Sequence, residues 1–139
     1  MKRSNRRRRS GCPISIALEI FGDTWSLLIV RDLMFKGFRT FNEFLGAGEG
    51  IASNVLTDRL SKLESAGVIV KREHDADARR YEYRLTEKGI DLASVMVEIV
   101  LWSARHEQTD APPQILRAMR TQREKFLSDV REGWQASQQ

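Results

Sequence analysis

The sequence FNEFLGAGEGIASNVLTDRLSKLESAG, residues 41–67, predicts two helices joined by a turn that contains three glycines. Thr40 precedes this stretch and has capping-box spacing to the glutamate three positions later, so the first helix should span residues 41–45. The second helix should span residues 53–66, with Ser53 as its cap and a glycine directly after its end. Two helices joined by a short turn of this kind form the helix-turn-helix arrangement.

The second of these helices carries a single apolar stripe. Leu56, Leu60 and Leu63 are spaced four and three positions apart, so they lie on one face, and polar side chains occupy most of the remaining circumference. The stripe should pack on the rest of the domain, which leaves the polar side of the helix exposed.

The spacing of apolar residues changes to every second position after this helix. It alternates over residues 68–73 and again over residues 80–85, and a polar turn at residues 74–78 separates the two runs. This pattern predicts a β-hairpin with a charged tip. A hairpin directly after the second helix of a helix-turn-helix is a wing, so the predicted fold is mainly α with a small β-hairpin wing.

Two helices should precede the motif. Pro13 suits the first turn of a helix that ends at Gly22, and either Asp23 or Thr24 can cap a second helix that ends near Gly37. Both helices carry apolar residues at helical spacing.

The chain after the hairpin predicts contacts with a second subunit. A helix capped by Thr86 is apolar nearly all round from residue 92 to residue 102, so we expect it to be buried on two sides, one of them against a partner chain; a fully enclosed core helix is the alternative. Residues 112–137 form an amphipathic pattern with no domain of their own to pack on, and we expect a second dimer contact there. An effector lid and a membrane-surface helix are the alternatives.

Length and composition fit a single globular domain, and the motifs limit which classes of site it can contain. A chain of 139 residues with 41% apolar content suits one domain with an appended helix. The single cysteine excludes an internal disulfide and a cysteine-rich zinc site, and we find no catalytic or phosphate-binding motif and no cofactor site. No apolar run reaches the length of a membrane span and no secretory signal is evident, so we expect a cytoplasmic protein without membrane contacts.

Positive charge is concentrated at the N-terminus. Residues 1–10 contain six of the 23 basic side chains and no acid, whereas the other 129 residues hold 17 basic and 19 acidic side chains, a net charge of −2. The basic side chains of this arm are Lys2, Arg3, Arg6, Arg7, Arg8 and Arg9. We expect residues 1–10 to be disordered alone and to bind a polyanion, with a solvated tail as the alternative.

The polar side of residues 53–66 is the candidate DNA-reading surface. A helix fits the major groove and enters it by its N-terminal half, where Asn54 could bind adenine. Arg59 could bind phosphate, or instead form an ion pair with Asp58 or Glu64. Cations of the wing can reach the minor groove or phosphates. The candidate DNA-binding residues are Arg39, Thr40, Ser53, Asn54, Thr57, Asp58, Arg59, Lys62, Lys71, Arg72, His74, Arg79 and Arg80.

Several segments together resemble the HxlR-type winged helix-turn-helix regulators. The resemblance spans roughly Cys12 to Trp102 and depends on the ordered set more than on any single piece. The matching segments are Cys12–Pro13, Phe21–Ile29, Arg31–Leu33, Arg39–Phe44, Leu56–Leu60, Leu63–Gly67 and Tyr81–Gly89. The resemblance implies homodimers, built on the first and C-terminal helices, that bind inverted or near-inverted DNA repeats and regulate transcription. The dense arginine arm and the long helix after Pro113 depart from the family pattern.

The resemblance also suggests a chemical switch at Cys12. Some members sense oxidants or electrophiles through a cysteine near the N-terminus, and Cys12 lies at the matching place. The start of a helix and a cluster of arginines both stabilise a thiolate. An inert thiol is the alternative.

The sequence therefore predicts a basic arm at residues 1–10, a winged helix-turn-helix DNA-binding domain at residues 11–105 and a dimerisation helix at residues 112–137. We expect a homodimeric repressor that binds double-stranded DNA. One alternative is a regulator with an apolar effector pocket, lined by Trp25, Phe44, Tyr83, Met96 and Trp102. Another is a protein-interaction module that binds no DNA.

Overall fold

The computed structural model describes residues 7–74 and 77–138, except for the side chains of residue 74 and residues 77–80. The chain divides into two compact units, with the boundary between Thr86 and Glu87. The predicted DNA-binding domain, residues 11–105, therefore takes in the first unit and part of the second.

The first unit contains the helix-turn-helix and the hairpin. Its elements are α1 (Pro13–Phe21), α2 (Ser26–Phe35), α3 (Phe41–Leu45), α4 (Ser53–Ser65), β1 (Ile69–His74) and β2 (Asp77–Leu85). The second unit consists of helices. They are α5 (Glu87–Ile90), α6 (Ala93–His106), α7 (Pro113–Thr121) and α8 (Arg123–Ala136). The predicted fold class, mainly α with a small β-hairpin, is confirmed.

The capping of α3 follows the sequence prediction. The Thr40 hydroxyl accepts a hydrogen bond from the Glu43 amide at 3.3 Å, and the Glu43 carboxylate accepts one from the Thr40 amide at 3.1 Å. Only Phe44 of this helix is buried. The turn that follows contains Gly48 and Gly50 with φ values of 95° and 77°, a region that only glycine enters without strain.

The position of Ser53 differs from the prediction. Ser53 is the first residue of α4, and Ala52 occupies the N-cap position with no side-chain hydrogen bond. The apolar stripe is confirmed, since Leu56, Leu60 and Leu63 are all buried. Burial of the stripe, rather than a capping side chain, stabilises the start of this helix.

Trp25 occupies the N-cap position of α2, so neither Asp23 nor Thr24 is the N-cap residue, although hydrogen bonds join the start of the helix to Asp23. Its carboxylate accepts hydrogen bonds from the amides of Trp25 and Ser26, both at 2.9 Å. These amides lie at the start of the helix and have no partner inside it. Ser26 is itself buried.

The hairpin is longer than the alternating apolar pattern predicts. β1 and β2 are antiparallel, with Ile69 opposite Leu85 and Lys71 opposite Tyr83. The predicted turn at residues 74–78 is wrong at both ends, because the backbone pairing extends to His74 and Asp77. The strand hydrogen bonds involve the backbone and continue past the last apolar side chain.

Two contacts attach the hairpin to α3 and to the segment before it, within the first unit. The Tyr83 amide donates to the Arg39 carbonyl at 2.7 Å. The Tyr83 ring meets the Phe44 ring edge to face, with 6.1 Å between centroids. The base of the wing is therefore attached to the segment that begins α3.

The second unit corrects two helix predictions. In place of the single helix expected after Thr86 there are two, α5 and α6. The Thr86 hydroxyl, which was expected to cap that helix, donates to the Gly67 carbonyl at 2.5 Å. The single helix expected over residues 112–137 is also two helices, because the backbone leaves helical geometry at Gln122, where φ is −132° and ψ is 45°.

The expectation that the C-terminal amphipathic segment has no domain of its own to pack on is also wrong. Val97 and Leu101 of α6 form a buried cluster with Met119 of α7. Partly buried residues surround this cluster. They are Val100, Leu116, Phe126 and Leu127. The apolar sides of α7 and α8 are thus covered largely by α6 of the same chain.

Candidate nucleic-acid interface

The N-terminal half of α4 presents the predicted base-reading residues on one exposed side. Ser53, Asn54, Thr57 and Asp58 are all exposed, opposite the buried leucine stripe. The Thr57 hydroxyl donates to the Ser53 carbonyl at 3.0 Å, so toward other groups it can act only as an acceptor. The side of the helix that could meet a DNA groove thus offers hydroxyl, amide and carboxylate groups.

Asp58 is neutralised by two cations of its own helix. Lys62 Nζ lies 3.4 Å from its carboxylate, and Arg59 Nε donates to the same oxygen at 3.0 Å. The hydrogen bond from Arg59 holds the pKa of Asp58 below its usual value. The pairs reduce the repulsion that an unpaired carboxylate would exert on a phosphate.

Arg59 forms the intramolecular ion pair that the sequence offered as an alternative, with an additional partner. It contacts Asp58, as foreseen, and its Nη1 atom lies 3.4 Å from Asp23 in the turn between α1 and α2. The sequence indicated only a capping role for Asp23, at the start of α2. The pair joins residues 36 positions apart, which no local spacing indicates.

Arg39 and Thr40, the two DNA-binding candidates directly before α3, already form hydrogen bonds with Glu43. The Glu43 carboxylate already accepts hydrogen bonds from the amides of Arg39 and Thr40, at 3.0 and 3.1 Å. The bond from the Arg39 amide is the main reason that the pKa of Glu43 is lowered. The backbone amides of these two candidate residues are therefore occupied, and the Arg39 guanidinium is the group that remains for a phosphate contact.

The wing presents cations on β1. Lys71 and Arg72 are exposed, and Lys71 Nζ lies 4.0 Å from the centroid of the Tyr81 ring. This cation–π contact directs the ammonium group along the strand surface. The side chains of three further candidates lie outside the described residues. They are His74, Arg79 and Arg80.

Part of the basic arm lies against α1. Arg8 pairs with Glu19 at 3.3 Å, and the Arg9 amide donates to the same carboxylate at 3.2 Å. The expected disorder therefore does not describe these two residues. The arm residues Lys2, Arg3 and Arg6 lie outside the described residues.

Cys12 occupies the N-cap position of α1. Its thiol is free and exposed, and its amide donates to the Ser10 hydroxyl at 3.2 Å. The predicted position at a helix start is confirmed. The thiol is open to an external reagent.

The aromatic residues assigned to an effector pocket have different roles. Phe44 and Tyr83 are buried in the first unit and contact each other, so they are core residues. Met96 is buried on α6, whereas Trp102 on the same helix is 60% exposed. In the second unit, Trp102 borders an open groove of about 530 Å³. Its lining residues are Ser94, Val95, Glu98, Ile99, Trp102, Arg105 and Arg123.

No group of three or more His, Cys, Asp or Glu side chains is arranged to hold a metal ion within residues 7–74 and 77–138. No single helix in those ranges is long and apolar enough to cross a membrane; α1 and α2 pass that test only together, and they are bent by 79°.

The sequence model of the HxlR-like helix-turn-helix family matches residues 20–111, which include α2 to α6. The chain belongs to this family. It is a transcriptional regulator with a helix-turn-helix domain, and such regulators are not enzymes. The HxlR resemblance inferred from the sequence is thereby confirmed.

Individual relatives of this HxlR-like chain agree with the assignment. An uncharacterized HTH-type transcriptional regulator of Mycobacterium tuberculosis is 36% identical over 111 residues, which cover 79% of this chain and 69% of that protein. The redox regulator HypR in its oxidized form has a TM-score of 0.62 and 26% identity, covering 70% of this chain and 100% of HypR. The reduced form of YodB from Bacillus subtilis has a TM-score of 0.58 and 26% identity, covering 70% and 95%.

Proposed function

We propose that the chain is a homodimeric, sequence-specific repressor that binds double-stranded DNA in the cytoplasm. The observation that carries this proposal is the exposed N-terminal half of α4, which presents polar side chains beside a hairpin with cationic residues. Membership in a family of helix-turn-helix transcriptional regulators supports the same function.

In this proposal α4 reads base edges in the major groove. Asn54 is suited to bind adenine through both groups of its amide, and Asp58 can accept a hydrogen bond from the amino group of cytosine. The Ser53 hydroxyl can donate or accept, and the Thr57 hydroxyl, which already donates to the Ser53 carbonyl, can accept. The buried leucines on the opposite side of α4 allow this face to enter the groove without disturbing the core.

Phosphate contacts come from the cations around α4. Lys62 is the candidate on the helix, Arg39 lies before α3, and Lys71 and Arg72 lie on the wing. Arg79, Arg80 and His74 remain predictions for the wing, as does the arm for the minor groove. If about eight phosphates are neutralised, the logarithm of affinity should fall with the logarithm of salt concentration at a slope of about −7.

Dimerisation is supported by apolar side chains that the described chain leaves uncovered. Ile14 and Leu18 of α1 are 71% and 57% exposed, and they lie one turn apart on the same face. On α6, Ile99 and Trp102 are 43% and 60% exposed. Apolar side chains of this size clustered on helix faces are typical of an interface. A two-fold axis would place the two copies of α4 about 34 Å apart, one turn of DNA.

The dimer contact predicted for residues 112–137 stays a prediction. Ile115 of α7 is exposed and could contribute to it. The apolar residues that α7 and α8 bury on α6 are already covered within the chain.

The direct test is selection of duplexes from a random library at low salt, followed by measurement of mass and affinity in solution. We expect a dimer that binds a selected inverted repeat much more tightly than a scrambled one. Asn54→Ala should weaken binding to the selected duplex and relax preference at one base pair, whereas Asn42→Ala on α3 should change neither. A protein that stays monomeric and selects no duplex would contradict the proposal.

A redox switch at Cys12 is part of the same proposal. The free, exposed thiol and the similarity to HypR, which is described as a redox regulator, support it. YodB of Bacillus subtilis, also similar, has structures both reduced and after diamide treatment. With one cysteine per chain, two Cys12 thiols could form a disulfide between subunits, in which diamide takes up the two electrons and two protons.

The switch is tested by treating the DNA-bound protein with diamide. We expect loss of binding, a disulfide-linked dimer on a non-reducing gel and recovery with dithiothreitol. Cys12→Ser should bind DNA normally and ignore diamide. If Cys12→Ser responds like the wild type, Cys12 is not the switch.

A further inference from the structure

Arg59 differs from Lys62, the other cation of α4, in its exposure and in its ion-pair partners. Its side chain is only 19% exposed, although it lies on a helix whose other long polar side chains face solvent. One edge of the guanidinium contacts Asp58, and Nη1 lies 3.4 Å from Asp23 Oδ1. Two carboxylates therefore share its positive charge, and little of it is available to a phosphate.

Asp23 is a rigid partner for this arginine. Its Oδ2 atom accepts from the amides of Trp25 and Ser26, and Oδ1 accepts from the Ser26 hydroxyl at 2.5 Å. Burial raises its pKa, but the hydrogen bonds, above all that from Ser26, outweigh burial and hold the pKa below its usual value. Asp23 is therefore ionised at neutral pH, and its position is fixed by the start of α2.

Buried apolar side chains also attach α4 to the rest of the first unit. Leu56, Leu60 and Leu63 hold the helix on the core, but hydrophobic contact has no preferred direction. An ion pair with hydrogen-bond geometry does have one. The leucine stripe determines which side of α4 is buried, and the contact between Arg59 and Asp23 can set the finer rotation of α4 about its own axis, on which the exact direction of Asn54 and Asp58 depends.

We propose that Arg59 is a positioning residue, which fixes the orientation of α4 through Asp23 instead of binding a DNA phosphate. This inference rests on the proposed reading of DNA by α4. It corrects the phosphate contact that the sequence predicts for Arg59. Lys62 is the matched contrast, since its side chain is 56% exposed and reaches only Asp58, at 3.4 Å, among the ion pairs of the described residues.

The two roles differ in salt dependence and in specificity. Removing a phosphate contact weakens binding about equally to all sequences and reduces the salt slope by about 0.9. Loss of orientation weakens binding to the selected duplex more than to a scrambled one and leaves the salt slope unchanged. A double mutant of two residues that act through one contact should lose no more than either single mutant.

The experiment measures affinity for the selected and a scrambled duplex at several salt concentrations, with Arg59→Met, Asp23→Asn, the double mutant and Lys62→Met. We expect Arg59→Met and Asp23→Asn each to reduce the ratio of the two affinities about tenfold. Neither should alter the salt slope, and the double mutant should match them. Lys62→Met should reduce the slope and keep the ratio.

Circular dichroism verifies that each variant is folded. If Arg59→Met fails to fold, Asp23→Asn, which keeps the size of the side chain but removes the charge that Arg59 contacts, decides the question through the affinity ratio in the same assay. A salt slope reduced in Arg59→Met as in Lys62→Met, or an affinity ratio unchanged in Asp23→Asn, overturns the inference alone. A wild-type protein that selects no duplex overturns the proposed function, and the inference with it.

Discussion

Arg31 Nη1 on α2 lies 2.9 Å from the Glu49 carboxylate, in the glycine-containing turn between α3 and α4. The same guanidinium contacts Asp32 at 2.9 Å, and the Asp32 side chain is only 4% exposed. One arginine thus fastens the turn of the helix-turn-helix and neutralises a buried carboxylate. The two contacts differ greatly in burial, so they should differ in their contribution to stability.

Single substitutions of Glu49 and Arg31 should separate the contribution of the exposed ion pair to stability from that of the buried carboxylate of Asp32. Glu49→Gln removes an exposed pair and should cost about 0.5 kcal/mol of unfolding free energy. Arg31→Met also removes the near partner of Asp32 and leaves it with Lys36, 3.8 Å away, so it should cost about 3 kcal/mol. Urea unfolding at pH 7 measures both. Equal losses would contradict the assignment of Asp32 as the more important partner.

Gly50 and Gly133 predict opposite responses to alanine. Gly50 has φ of 77°, so Gly50→Ala should cost about 1–2 kcal/mol through backbone strain, although no atom lies within 4 Å of the added Cβ. Gly133 lies inside α8, also with open space around a Cβ and without a positive φ, so Gly133→Ala should stabilise by up to about 1 kcal/mol. Thermal unfolding compares them; destabilisation by both would show that the sites differ in something other than backbone conformation.

Met119 should contribute more to the second unit than any other residue of α7. Met119→Ala removes a buried side chain from the cluster with Val97 and Leu101 and should cost about 2–4 kcal/mol. The matched control, Ile115→Ala, removes a similar volume from an exposed position and should cost under about 1 kcal/mol. Hydrogen exchange monitored on α7 and α8 reports the effect locally. Similar exchange in the two variants would mean that α7 does not depend on its packing on α6.

Local patterns predicted the first unit well. The capping box of Thr40 and Glu43 and the leucine stripe of α4 are defined by neighbours in the sequence, and both are confirmed. The wing was predicted, but its turn was placed wrongly, because strand pairing depends on the backbone and not on alternating side chains. Patterns of this kind indicate reliably which helices and strands form, but they indicate less well where each one ends.

Contacts between distant residues were harder to foresee. The pair of Arg59 and Asp23 joins two segments whose sequences each have a sufficient local explanation, a polar helix face and a helix cap. The packing of α7 on α6 was also missed, because an amphipathic helix has the same sequence pattern whether its cover comes from its own chain or from a partner. The exposed polar residues of α4 were predictable because the buried leucine stripe defines the opposite side of the helix.

The last prediction concerns acid. The pKa of Glu43 is lowered, mainly by the hydrogen bond from the Arg39 amide, and the pKa of Asp23 is lowered by its bonds to the start of α2. A carboxyl group whose pKa is lower in the folded state stabilises the fold at neutral pH, and this stabilisation is lost as the pH falls from the ordinary value through the lowered one. Unfolding free energy should therefore decline as the pH falls below the ordinary values of 4.5 for Glu43 and 3.8 for Asp23.

Glu43→Gln should be less stable than the wild type at pH 7 and lose less on acidification, while Asn42→Ala, next to it on α3, should retain the wild-type pH profile. Urea unfolding between pH 7 and pH 3 measures the three curves. If the Glu43→Gln curve runs parallel to that of the wild type, the capping carboxylate contributes nothing to acid sensitivity, and the hydrogen bonds at the start of α3 are weaker in solution than their distances indicate.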